Sequence, residues 1–167
     1  MSEFEEMYTI YQKDVYYFLL KLTGYKEMLA EELTQETFYQ AILSLKRFRG
    51  ECTLKSWLCQ IAKNTYYRYL REHVKHSNLT SKLSLEPEIK SVSAVIEEKD
   101  TISHIREVIG QLDEKSRSIV EYRLFCQIPF KEIGCLLGIR EATAKVLFCR
   151  AKEKIQKGLR EDYGYEI

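Results

Sequence analysis

The stretch PFKEIGCLLGIREATAKVLFCRAK, residues Pro129 to Lys152, constrains the fold of this chain more than any other segment. Ile133, Leu137, Ile139, Ala144 and Leu147 are spaced to close two helices against each other. Gly134 is small where the helices would cross, and Gly138 sits at the turn, where glycine adopts a positive φ at little cost. Pro129 suits the entry to the first helix, because the N–H it lacks is not needed there. The pattern is that of a helix-turn-helix. In the helix after the turn, Arg140, Lys145, Cys149 and Lys152 fall mostly on the face away from the apolar set. A helix with that face fits a DNA major groove. A helical hairpin with a solvated basic side is the alternative that the segment alone leaves open.

The rest of the chain is patterned for helices as well. Only 7 Gly and 2 Pro occur in 167 residues, which argues against a turn-rich β fold. Phe4, Tyr8, Tyr11, Val15, Phe18 and Leu22 recur at steps of three and four, the helical period, and Thr23-Gly24 breaks that run. A second helix is expected from about Lys26 to Leu45, with Leu33, Phe38, Ala41, Ile42 and Leu45 facing inward. A basic loop follows, and Thr53 reads as the N-cap of a third helix from Leu54 to about His73. Its apolar side is Leu54, Leu58, Ile61, Ala62, Thr65 and Tyr69; its other side is Lys63, Asn64, Tyr67 and Arg71. Periodicity fails between about Lys75 and Lys99, a stretch that reads as a linker. It returns with Ile102, Ile105, Val108, Ile109 and Leu112, after which Asp113 reads as another N-cap. The expected fold is all-α, with two small helical domains joined by a linker, at 1–76, 77–100 and 101–167, and the helix-turn-helix at about 130–149.

Charge is segregated along the chain. The net charge is +1, yet residues 1–40 carry 3 basic and 8 acidic side chains, residues 41–80 carry 8 and 2, and residues 138–160 carry 7 and 2. Two basic blocks, one in each half, suggest two contacts with a polyanion, and the acidic block ahead of them suggests a different, basic partner. No apolar run approaches the roughly 18 residues of a membrane helix, and the start lacks a secretory pattern, so direct membrane insertion is not expected and a cytoplasmic protein is. Cys52, Cys59, Cys126, Cys135 and Cys149 are odd in number and are expected as free thiols in a reducing compartment. Their spacing, and that of His73, His76 and His104, does not match common structural zinc sites, so no metal and no cofactor are expected. No nucleophile–base pair or phosphate-cradling glycine loop stands out, which argues against an enzyme.

Taken in order, several segments resemble a bacterial RNA polymerase sigma factor of the extracytoplasmic-function (ECF) group, in the sigma-70 family. They are Ala30-Glu31-Glu32-Leu33-Thr34-Gln35-Glu36-Thr37-Phe38; Phe48-Arg49-Gly50 with Trp57-Leu58 and Ile61-Ala62-Lys63-Asn64; and Leu112 to Arg117 with Phe130-Lys131-Glu132-Ile133, Thr143-Ala144-Lys145 and Arg150-Ala151-Lys152. The resemblance runs over nearly the whole length. Val146-Leu147 stands where the family often has Ser-Arg, Arg140-Glu141-Ala142 replaces a common Pro-x-Gly, and Asp113 replaces a common proline. These departures bear on which DNA sequence is read rather than on the fold.

The resemblance implies a transcription initiation factor that binds core RNA polymerase and directs it to promoters by reading −35 and −10 elements and helping to open the DNA. Glu31, Glu32, Leu33, Gln35, Glu36 and Phe38 would meet the clamp helices of the largest polymerase subunit, with the flap as a further contact. Single-stranded −10 DNA would lie on Arg47, Phe48, Arg49, Thr53, Lys55, Trp57, Gln60, Lys63, Asn64, Tyr67 and Arg71, a mixture of cations and aromatic platforms suited to unpaired bases. Duplex DNA at −35 would be read by Arg140, Glu141, Thr143, Lys145, Val146 and Cys149, with Arg150 and Lys152 on phosphate. Family members are commonly held by an anti-sigma factor, which the resemblance adds as a partner. The rival reading is a helix-turn-helix regulator with a helical sensory domain that binds duplex DNA without polymerase.

Overall fold

The computed structural model describes residues 2–79 and 93–166, with side chains described over 2–74 and 100–166. Among these residues the chain is helical and contains no strand. Helices α1 (Glu3–Leu22), α2 (Glu27–Ser44) and α3 (Leu54–Leu79) form an N-terminal unit, with a 3₁₀ turn at Leu45–Arg47 leading into the loop before α3. Helices α4 (Ser93–Gly110), α5 (Glu114–Val120), α6 (Phe130–Leu137) and α7 (Glu141–Tyr163) form a C-terminal unit, and α5 runs on into a π-helical turn at Glu121–Phe125. The centre of the expected linker, 80–92, lies outside the described residues. Helical backbone enters the stretch read as linker from both sides, since α3 continues to Leu79 and α4 begins at Ser93.

Local sequence explains where these helices start. Ser2 and Glu5 form a reciprocal cap on α1: the Glu5 N–H donates to Ser2 Oγ at 3.3 Å and the Ser2 N–H donates to Glu5 Oε2 at 2.7 Å. Thr53 caps α3 as its position suggests, its Oγ1 accepting from the Ser56 N–H at 3.2 Å. Asp113 caps α5 through the Ser116 N–H at 3.1 Å. Hydrogen bonding from Ser116 lowers the Asp113 pKa from its ordinary 3.8. Asp113→Ala is expected to cost about 1 kcal/mol. Because the folded-state pKa is depressed, that contribution is present above the ordinary carboxylate range and is lost as pH falls through it. Melting curves of the two proteins should therefore converge in acid.

In the N-terminal unit Val15, Phe18, Leu19 and Leu22 of α1 meet Ala30, Leu33, Phe38 and Ala41 of α2 and Leu58 and Ala62 of α3. Tyr8 crosses Phe38 edge to face at 4.9 Å between ring centroids. Ile42, expected to face inward, is 47% exposed, because it follows fully buried Ala41 and is turned about 100° from it round the helix. In the C-terminal unit Ile109, Leu112, Val120 and Ala151 make a small core.

The two units share one apolar layer. Ile119, Tyr122, Cys126, Ile128, Ile133 and Ala144 belong to the same buried cluster as Phe18 and Leu58. Phe18 and Tyr122 stack across it, with centroids 6.4 Å apart and planes 16° from parallel. The cysteine expectation is corrected here: Cys59 of α3 and Cys126 at the end of the π-helical turn are paired sulfur to sulfur, with Cα atoms 7.3 Å apart. The reason is that both apolar stretches face this layer. Cys52, Cys135 and Cys149 are free.

Candidate nucleic-acid interface

The helix-turn-helix forms where the sequence places it. Gly138 ends α6 with φ 67° and ψ 34°, a left-handed position that a β-carbon would penalise. The Ile139 N–H then donates to the Gly134 carbonyl at 2.9 Å. A β-carbon on Gly134 would stand 2.7 Å from the Ile139 carbonyl oxygen, so glycine is what lets the turn lie down on α6. Ile133 and Ala144 are fully buried beneath the turn. The outward face of α7 and its N-cap is open: Arg140, Glu141, Thr143, Lys145, Val146, Cys149, Arg150 and Lys152 are all exposed. Lys145 and Glu141 form an ion pair at 3.4 Å. An exposed pair of this kind is worth at most about 1 kcal/mol, so both groups can exchange partners readily.

The basic and aromatic residues of the first half come together around the loop before α3. Arg47, Phe48, Arg49, Trp57 and Gln60 line a pocket of about 220 Å³, and Leu136 and Cys135 of α6 close one side of it. Phe48 leans on Trp57 at 5.0 Å between ring centroids. Trp57 is thus a pocket wall that is half-buried, rather than a core tryptophan. Asn64 and Arg71 are exposed along α3, and Lys55 is half-buried at its start.

Three residues of this group are engaged by the C-terminal unit. The Thr53 N–H donates to Glu132 Oε1 at 2.8 Å. Burial would raise the Glu132 pKa, but hydrogen bonds from Thr53 and Ser56 outweigh it and bring the carboxyl below its ordinary value. Tyr67 donates its hydroxyl to Glu121 in a short hydrogen bond, and the Arg117 guanidinium lies 4.9 Å from the Tyr67 ring centre. Lys63 Nζ sits 5.3 Å from the Tyr122 ring and 5.7 Å from the Tyr67 ring. Burial lowers the Lys63 pKa, with Glu121 opposing and Arg117 adding to the shift. Burial likewise raises Glu121, which is 3% exposed and whose Oε2 has no hydrogen-bond partner. Arg106 adds a further tie, donating to the Leu22 carbonyl at 3.0 Å and to the Tyr66 hydroxyl oxygen at 3.1 Å.

The polar side of α3 is therefore not simply solvated. Sequence reasoning missed Arg106, Arg117, Glu121, Tyr122 and Glu132 as its partners. The one available signal was an acidic residue, Glu121, directly between Ile119-Val120 and Tyr122, where a solvated carboxylate is out of place.

On α2, Glu31, Glu32 and Gln35 are exposed and Glu36 is half-exposed. Glu36 Oε1 accepts from Arg68 at 3.2 Å, joining α2 to α3. Leu33 and Phe38, expected at the same contact, are 5% and 2% exposed. They lie at the inner side of the helix, where the helical period of the sequence also puts them. Among the described residues no group of three or more His, Cys, Asp or Glu side chains is arranged to hold a metal. His104 stacks on Tyr163 at 3.8 Å between ring centres, and its Nδ1 is 3.0 Å from the Tyr165 hydroxyl.

Residues 7–76 match the family described as Sigma-70 region 2, and residues 103–155 match Sigma-70, region 4. The chain is 28% identical over 155 residues to the ECF RNA polymerase sigma factor SigM of Bacillus subtilis, covering 91% of this chain and 92% of that protein. It is 25% identical over 163 residues to the RNA polymerase sigma factor YlaC of the same organism, covering 93% and 91%. Its fold is like that of the sigma factor RpoE of Bartonella quintana, solved in complex with the anti-sigma factor NepR, with a TM-score of 0.65 at 18% identity, covering 97% and 99% of the two chains. The two matches fall on the two helical units and together define a two-part protein built of sigma-70 regions 2 and 4. Within that class, the chain belongs to the ECF group of the sigma-70 family of RNA polymerase sigma factors. It is a transcription initiation factor that directs RNA polymerase to promoters.

Proposed function

We propose that the three surfaces divide the work of initiation. The exposed acidic face of α2, Glu31, Glu32, Gln35 and Glu36, docks on a basic partner helix of core polymerase, with Leu33 and Phe38 fixing its direction from below. Carboxylates in such a place steer encounter and orientation more than they add affinity. The pocket of Arg47, Phe48, Arg49, Trp57 and Gln60 takes a base flipped from the −10 element, and Lys63, Asn64, Tyr67 and Arg71 extend the track along α3. Flipping costs a few kcal/mol, which base-edge hydrogen bonds and aromatic contact must offset. The outward face of α7 reads the −35 duplex. The reaction chemistry stays with the polymerase, in the cytoplasm, and this chain contributes binding energy without catalysis of its own.

The observation that carries this reading is the contrast between the two DNA surfaces. The α7 face is open, while Thr53, Lys63 and Tyr67 are held by Glu132, Tyr122 and Glu121 of the other unit. The free chain is thus closed over part of its −10 surface, and docking on polymerase parts the units. A protein that favours the closed form would act as an inhibitor; the solved complexes of RpoE with NepR and of CnrH with the cytosolic domain of CnrY support expecting such an anti-sigma partner here.

Run-off transcription with core polymerase, with and without this chain, tests the reading. Initiation at a discrete start should require the chain. Tight duplex binding by the chain alone, with no effect on initiation, would favour a simple regulator instead. In the same assay Lys145→Ala should weaken −35 binding by about 1–3 kcal/mol if it makes a bidentate base contact, while polymerase docking is unchanged. Unaltered −35 affinity would remove Lys145 from the reading surface.

A further inference from the structure

The cysteine pair across the unit boundary has no place in initiation as described, and its setting gives it one. Cys59 is fully buried on α3, four residues before Lys63 and one before Gln60. Cys126 is 5% exposed, four residues after Tyr122 and five after Glu121. The two sulfurs meet, and 67 residues of sequence separate them. A bond between them joins the element that carries the −10 residues to the element that covers them. A cleft of about 230 Å³, lined by Asp14, Tyr17, Lys21, Lys55, Phe125, Cys126 and Gln127, opens beside Cys126. Lys21, Lys55 and Asp14 stand around this opening, which gives a small oxidant a way in to the Cys126 sulfur.

We propose that Cys59 and Cys126 form an oxidation site for hydroperoxides, and that closing the bridge fixes the chain in the arrangement where α3 is covered. The functional consequence rests on the initiation reading above. The Cys126 thiolate attacks one oxygen of the hydroperoxide, the O–O bond breaks, and the other oxygen leaves as an alcohol, or as water when the oxidant is hydrogen peroxide. Cys126 is then a sulfenic acid. The Cys59 sulfur attacks it, the S–O bond breaks, and the hydroxide leaves as water with the Cys59 proton. Two thiols and one hydroperoxide give one disulfide, one alcohol and one water; the two electrons lost by sulfur reduce the O–O bond. A dithiol restores both thiols by exchange and is itself oxidised to a cyclic disulfide.

The test uses the full-length chain, treated with hydrogen peroxide, quenched with catalase and alkylated before peptide mapping. A linked Cys59–Cys126 peptide is expected. Its absence, or a Cys52–Cys135 link in its place, would overturn the proposal; those two cysteines, one from each unit, both line the pocket beside Trp57. Hydrogen exchange at the Thr53 amide gives a readout independent of transcription. It should slow in the bridged chain, because the Glu132 hydrogen bond is then held in place, and unchanged exchange would contradict the lock. Added to core polymerase after quenching, the bridged chain should initiate at least about tenfold less than the reduced chain, the scale of a typical coupling between sites. Dithiothreitol should restore it. Cys126→Ala should initiate like wild type and ignore peroxide; if that variant folds poorly, Cys59→Ala serves the same purpose. Equal initiation by bridged and reduced chains would sink the lock while leaving the initiation reading intact. A reduced chain that fails to initiate would sink the initiation reading, and the Thr53 exchange would still decide whether the bridge holds the units together.

Discussion

Phe18→Ala is expected to lower the unfolding free energy by about 3–5 kcal/mol. Phe18 is fully buried near the C-terminal end of α1, and its ring serves two boundaries at once. On one side it packs with Leu33 and Leu58 inside the N-terminal unit; on the other it stacks on Tyr122 of the C-terminal unit. Truncation removes the transfer free energy of the ring and leaves a cavity that the three helices cannot easily fill. Against a total stability of about 5–15 kcal/mol for a domain, the loss is large. Urea unfolding should show a lower midpoint, and both units should loosen together. Tyr17→Ala, one residue earlier but 56% exposed, should stay within about 0.5 kcal/mol and serves as the control. A small effect at Phe18 would show that the layer between the units is not packed as described.

Glu121→Ala is the second large change, with an expected cost of about 1–3 kcal/mol. It removes the acceptor for the Tyr67 hydroxyl and the carboxylate that acts most on Lys63, ahead of Glu114. Glu121→Gln keeps an acceptor oxygen and removes the buried charge, so it should cost much less. The pH dependence follows from the direction of the Glu121 shift. Burial raises its pKa above the ordinary 4.5, so the folded chain holds a proton that the unfolded chain releases. Stability attached to this group is full below the ordinary value and falls as pH rises through the raised one. Wild type should therefore lose stability relative to Glu121→Gln as buffer moves from mildly acidic to neutral. A stability difference that stays constant across that range would mean that the carboxyl is not buried in the way described.

Much of the architecture was legible because helical period and caps are local. The α1 stripe, the Thr53 and Asp113 caps and the Gly134/Gly138 turn depend on residues within one or two helical turns of each other. The exposure of the α7 face was legible for the same reason, since its polar residues stand on the side away from the apolar set and are exposed among the described residues. What the chain does between its halves was not legible. Lys63 and Tyr67 have the types and spacing of a solvated face, and contacts far away in sequence, such as Tyr67 to Glu121 and Lys63 to Tyr122, turn that face inward. Phe38 and Leu33 were legible as inward residues from the helical period alone, and burial agrees, while the docking role comes only from a motif shared with a family. The Cys59–Cys126 pairing was hidden because spacing of 67 residues carries no signature; two apolar stretches had to be folded against each other first.

The double use of α3 ties two traits that would otherwise vary independently. Lys63 and Tyr67 touch the C-terminal unit at rest, and they stand on the helix assigned to the unpaired strand. A substitution there that retunes which bases are preferred will also change how long the idle molecule stays shut. Promoter preference and leakiness in the absence of a signal should therefore shift together along this helix, whereas changes at Lys145 or Val146 can alter preference with no such side effect.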